Sequence, residues 1–167
     1  SYSQQFYTET GYTEFDGSKA AFEPIKAKNS SSISIIDIGS GKIAALIGIK
    51  DFDFRLGLMQ EHFNENYLES NKFPKSTFEG KILNYDQVEF KDYFIDVSIE
   101  GILTIKGVSK KIITNAQIKK NNDKIELKSS FSVKLSDYKI KVPRIVFMKI
   151  DETVKINLSY LYEKKEL

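Results

Sequence analysis

The sequence predicts an all-β domain of antiparallel strands with a single helix set into it. Three observations carry that prediction. Apolar and polar residues alternate with period two over long runs, turn-forming clusters separate the runs, and one segment alone has helical spacing.

Alternation is clearest over 125–135. Ile125, Leu127, Phe131, Val133 and Leu135 share a face interrupted only by Ser129, and Glu126, Lys128, Ser130, Ser132 and Lys134 form the other. In 93–105, Tyr93, Ile95, Val97, Ile99, Leu103 and Ile105 point one way, with Asp96, Ser98, Glu100 and Thr104 opposite. The last strand repeats the pattern with Val154, Ile156, Leu158, Tyr160 and Tyr162. Shorter runs place Ile33 with Ile35, and Ile112 with Ala116 and Ile118. Between them, Gly39-Ser40-Gly41, Lys106-Gly107 and Asn121-Asn122-Asp123 are turn chemistry. Connections this short make neighbouring strands antiparallel and leave no room for crossover helices.

The helical segment is 56–69, where Leu56, Met59, Phe63 and Tyr67 recur at spacings of three or four. Pro74 is expected to end it, through its restriction of the preceding residue. Segment 42–50 is apolar on both faces, with Ile43, Ala45, Ile47 and Ile49 on one and Ala44, Leu46 and Gly48 on the other. Its outer face calls for a cover, so the helix either lies over that face or plugs one end of a barrel. Alternation by itself leaves sandwich and barrel both open.

The chain has 167 residues, which suits one domain, and 41% hydrophobic content supplies a core. A net charge of +2 gives no basic face for nucleic acid, so none is expected as a partner. There is no cysteine and one histidine, which excludes disulfides, thiolate chemistry and Cys/His zinc sites. No apolar run is long enough for a transmembrane helix. The start at Ser1 matches what removal of a signal peptide would leave.

Three patterns invite chemical readings. His62 with Glu61 and Glu65 evokes a metal site, but Glu61 projects about 100° away around the helix, so no metal is expected and a helix-to-strand hydrogen bond is the expected role. Gly39-Ser40-Gly41-Lys42 lacks the remainder of a phosphate loop and precedes a strand, so it reads as a tight turn. Asp51 and Asp53, two apart on an extended segment, have a spacing that glycoside hydrolysis can use, although such pairs usually just face water.

The stretch from Phe52 to Ile82 carries Glu61-His62 on the helix and then Lys72-Phe73-Pro74-Lys75-Ser76-Thr77-Phe78 entering a strand. Leu103-Thr104-Ile105-Lys106-Gly107-Val108 follows, then Leu135-Ser136-Asp137-Tyr138-Lys139-Ile140-Lys141-Val142-Pro143. Together, over roughly Gly11 to Tyr162, these motifs resemble the YceI-like family of lipocalin-like, polyisoprenoid-binding domains, in the version found in Bacteroidetes-type members. One departure stands before the helix: many members carry Arg-Asp, whereas Arg55 here is followed by Leu56-Gly57.

The resemblance implies a closed antiparallel, lipocalin-like barrel of about eight strands with an apolar pore. It also implies an isoprenoid or other lipid-like ligand, no catalytic activity, no cofactor, and a periplasmic or secreted location. Strand faces then nominate a ligand-binding lining of Ile33, Ile35, Ile95, Val97, Ile99, Leu103, Phe131, Val133, Ile156 and Leu158. Met59, Phe63, Tyr67 and Phe73 are expected to cover an opening, and Lys106, Lys110 and Lys111 to meet a charged headgroup. Lys119, Lys120 and Lys124 form a rival cluster, and only one hairpin end can lie nearest the mouth. A homodimer is the assembly considered. Two other readings stand beside the lipid carrier: a cell-envelope interaction domain whose barrel is filled by its own side chains, and a hydrolase using Asp51 and Asp53.

Overall fold

Strands form over the alternating runs and over Gln5–Ser18 as well, and their hydrogen bonding closes a barrel. The computed structural model describes residues 4–22, 24–142 and 150–165. In chain order the elements are β1 (Gln5–Ser18), β2 (Lys26–Asp37), β3 (Lys42–Gly48), a two-residue β4 (Asp53–Phe54), α1 (Gly57–His62), β5 (Lys75–Ile82), β6 (Ile95–Ile105), β7 (Val108–Asn121), β8 (Lys124–Lys134) and β9 (Ile150–Lys164). Every pairing is antiparallel. The order β1-β9-β8-β7-β6-β5-β3-β2 is closed by β1 against β2, and β4 adds to the upper part of β2. The structure is thus a closed barrel of eight long strands, as expected.

The turns follow their chemistry. Lys106 and Gly107 both have positive φ, 50° and 75°, which is the two-residue hairpin geometry suited to twisted strands. At Gly39 to Gly41 the Asp37 side chain accepts from the Gly39 amide at 2.8 Å, and the tight-turn reading holds. One end of the barrel, the top, carries the β1–β2 connection, the helical segment and the Lys106-Gly107 turn. The bottom carries the Asp37–Lys42 turn, the 83–94 connection and the Asn122-Asp123 turn.

The helix is shorter than expected. α1 ends at His62 and passes into a π-helical turn, Phe63–Tyr67, marked by the Leu68 amide donating to the Phe63 carbonyl at 2.9 Å. That wider turn brings Phe63, Tyr67 and Leu68 together against the core, while Leu56 is left outside as the N-cap, 41% exposed. The chain leaves the helix at Glu69, φ 47°, before Pro74 is reached. The helix plugs the top and does not cover the outer face of β3. Ile33, opposite Leu46 on that face, is 41% exposed. Tyr93, assigned to the inward row of β6, precedes the strand and is 58% exposed.

The largest correction is in β2. Ile33 and Ile35 were expected inside; instead Ser32, Ser34 and Ile36 are buried and the two isoleucines lie on the outer face. The cause is a bulge. Between the pairs Thr13–Asn29 and Gly11–Ser32, β2 advances one residue more than β1, which reverses which residues face inward. The Asn29 side chain holds the bulge, accepting from the Ser31 amide at 2.8 Å and the Ser32 hydroxyl at 3.2 Å.

Candidate functional site

An apolar cavity of about 180 Å³ occupies the upper half of the barrel. Of the expected lining, Ile99, Leu103, Phe131, Val133, Ile156 and Leu158 face it. Phe63 and Tyr67 close it from the helical segment, and burial pushes the Tyr67 hydroxyl above its ordinary range. Phe63 stacks on Phe15 with ring centres 5.2 Å apart and meets Phe52 edge-on at 5.7 Å, so the plug is an aromatic cluster. Met59 is buried in the same upper core without reaching the cavity wall. Phe73 packs against the Lys106-Gly107 turn, where a Cβ on Gly107 would approach its ring to 2.9 Å.

Val97 and Ile95 are placed elsewhere. Both lie below the cavity in a second core, where the barrel is filled by its own side chains. Ile33 and Ile35 are outside altogether, for the bulge reason above. The interior residues that the alternation did not nominate include Phe15, Leu68, Tyr138, Ile140, Phe78 and a set of polar ones. Phe78 lies over the facing glycines Gly80 and Gly101, and an added Cβ on Gly101 would come within 2.5 Å of its ring. The two cross-strand glycines were the available signal.

A hydrogen-bonded polar strip lies at the cavity floor. The Tyr162 hydroxyl and Ser34 Oγ are 2.7 Å apart, and Ser34 donates to the Ala44 carbonyl at 2.8 Å. The Tyr160 hydroxyl is 2.7 Å from Thr13 Oγ1, which is 2.9 Å from Ser32 Oγ. Burial pushes both tyrosines above the ordinary range and outweighs the opposing hydrogen bonds, so both stay neutral at physiological pH. The serines that the bulge turns inward are therefore the partners that let these hydroxyls be buried.

The lysines divide. Lys106 lies at the top end but is paired with Glu69 at 3.1 Å. Lys111 is on the outer wall, 3.0 Å from Glu100. Lys110 sits opposite Leu103 on the inward row, is exposed at the rim, and has no ion pair among the described residues. The rival cluster Lys119, Lys120 and Lys124 is at the bottom. Beside Lys110 the wall opens in its bonding: the β7–β8 ladder stops at Ala116–Ser129, although both strands continue upward past Ile112 and Phe131.

Asp51 and Asp53 do not share a strand. Asp51 ends a 3-10 turn, Asp53 is in β4, and both are exposed outside the cavity, with Phe52 buried between them. Among the described residues no cluster of three metal-ligating side chains occurs, and His62 makes no hydrogen bond to a strand.

The YceI-like domain family matches residues 4–161. The chain belongs to that family. Its YceI-like fold is shared with a polyisoprenoid binding domain from Saccharophagus degradans, at 13% identity and a TM-score of 0.81, covering 97% of this chain and 99% of that one. BcnA of Burkholderia cenocepacia matches at 14% identity and TM-score 0.70, covering 90% and 94%. The Campylobacter jejuni YceI protein matches at 20% identity and 0.66, covering 89% and 90%. No curated protein matches the chain in sequence.

Proposed function

We propose that the upper half of the barrel binds the apolar chain of an amphiphilic lipid, isoprenoid in type, and sequesters or carries it. The observation that carries this reading is the cavity itself. It is lined by hydrocarbon and plugged above by Phe63 and Tyr67, and the hydroxyls at its floor are already hydrogen-bonded to one another. Such a site recognises shape and apolarity. Each ligand methylene removed from water contributes about 0.8 kcal/mol, against the cost of ordering the chain. The Saccharophagus degradans neighbour, described as a polyisoprenoid binding domain, supports the same reading.

Lys110 is the cation placed to meet a phosphate or carboxylate at the rim. The role is binding without catalysis: among the described residues no carboxylate lines the cavity, and the Asp51/Asp53 pair stands outside it. The family resemblance supports a periplasmic or secreted location, which fractionation of the native host tests. Solvent extraction of gently purified protein, with lipid analysis of the extract, tests the binding. A stoichiometric prenyl or acyl amphiphile is expected. Recovery of none, with no uptake of added prenyl lipid, would refute it. Lys110→Glu is expected to weaken binding of an anionic prenyl phosphate and to leave the neutral prenyl alcohol unaffected.

A further inference from the structure

Resting on the lipid reading above, the structure assigns a length limit to the ligand: the lumen is closed above its lower end by Tyr160 and Tyr162, and the site takes one short apolar chain, prenyl or acyl.

Below the tyrosines the lumen ends. Ile36, Ile118, Ile125 and Tyr162 have no solvent exposure, and of these only Tyr162 faces the cavity, from beneath. The bottom is also sealed from outside. The 83–94 connection folds under the barrel, with Tyr85, Val88 and Phe90 packed on the lower core and the Tyr85 hydroxyl donating to the Ile38 carbonyl. A chain that reaches the floor therefore has no lower exit.

The floor is fixed in place. Each tyrosine is held by hydroxyl partners on β1 or β2, so swinging a ring aside would strand buried polar groups. Tyr160 is held flat as well, because its ring lies over Gly11, where an added Cβ would come within 2.7 Å of it. The depth available follows from β9. From Val154 near the mouth to Tyr162, the lowest lining residue of β9, the strand rise and the usual barrel tilt give about 20 Å. The cavity, about 180 Å³, is likewise below the roughly 300–1,000 Å³ of ordinary ligand pockets. The remainder of a long polyprenyl tail would stay in water, whereas in the lipid's own aggregates, which compete with the site, it is buried; a long tail therefore binds less well than one that fits.

The test compares phosphates that share a headgroup: geranyl, farnesyl, geranylgeranyl and undecaprenyl, with dodecyl phosphate as the acyl-type chain. Each displaces a prebound fluorescent fatty acid from the full chain. Farnesyl or geranylgeranyl phosphate is expected to bind best, with undecaprenyl phosphate weaker on the order of tenfold. Tyr160→Ala, which lowers the floor, is expected to move the optimum to a longer chain. If that variant fails to fold, the wild-type series decides alone. Undecaprenyl phosphate binding as tightly as farnesyl phosphate would overturn the length limit and leave the lipid reading standing. Failure of every chain to bind would overturn both.

Discussion

The upper and lower halves of this barrel are built from the same strands and do different things. In the lower half Ile36, Ile118 and Ile125 meet across the lumen with no exposed surface, and the interior is a core. In the upper half the same inward rows continue as Ile112, Phe131, Val133 and Ile156, but they face a cavity closed by an aromatic plug. Eight strands give a barrel at the width where side chains either fill the interior or leave room for one ligand. This chain does both, one above the other, with two hydrogen-bonded tyrosines at the boundary.

The largest difference should appear on truncation of equivalent isoleucines. Ile125→Ala removes fully packed methylenes and is expected to cost about 2–5 kcal/mol in denaturant unfolding. Ile156→Ala, whose side chain already faces space, should cost about 1 kcal/mol and weaken chain binding instead. Equal costs would break the contrast. Asn29→Ala loses the clasp of the bulge and the hydrogen bond from its side-chain amide to the Gly48 carbonyl, a loss of about 2 kcal/mol. If instead stability is unchanged, the Asn29 side chain is not what holds the bulge.

The boundary itself can be probed more gently. Tyr162→Phe leaves Ser34 bonded to the Ala44 carbonyl, so about 1 kcal/mol is expected, with lipid binding retained. The tyrosines also set a pH dependence. Their folded values are raised, so the protonated form is favoured by folding. That contribution is fully present below the ordinary tyrosine value of about 10 and is lost as pH rises above it. Stability should therefore fall at alkaline pH, and the double variant Tyr160→Phe, Tyr162→Phe should show a shallower fall in pH-dependent melting. The smallest effect belongs to the rim. Glu69→Gln breaks a partly exposed ion pair to Lys106 and should cost less than about 1 kcal/mol, fading further with salt.

How far the site was legible in the sequence follows the same division. In β6, β8 and β9 the alternation runs the length of each strand, broken only at Gly101 and Ser129, and Ile99, Leu103, Phe131, Val133, Ile156 and Leu158 could be placed on the inward side from period two. The strand β2 failed because a one-residue bulge reverses the faces, and its signal is Asn29 followed by three serines, which carry no hydrophobic pattern. The lower limit of the cavity was hidden for a different reason. Ile95 and Val97 share a face with Ile99 and Leu103, and nothing local distinguishes a residue that faces a cavity from one that faces a neighbour. Only the closed barrel brings Tyr160 and Tyr162 to Thr13 and Ser34, far away in sequence. The lysine cluster dissolved similarly, because Glu69 and Glu100 claim two of its members after folding.

The bound apolar chain is expected to lie in the upper part of the barrel and nowhere else. Photolabelling the full chain with a prenyl phosphate bearing a diazirine at its tail end, followed by peptide mapping, tests it most directly. Labels on Leu127, Leu158 and Tyr160, at or just above the floor, are predicted. Labels on Ile36, Ile118 or Ile125 would show that the chain passes into the lower half, and labels confined to the outer face at Ile33 and Leu46 would show that the cavity is not the binding site.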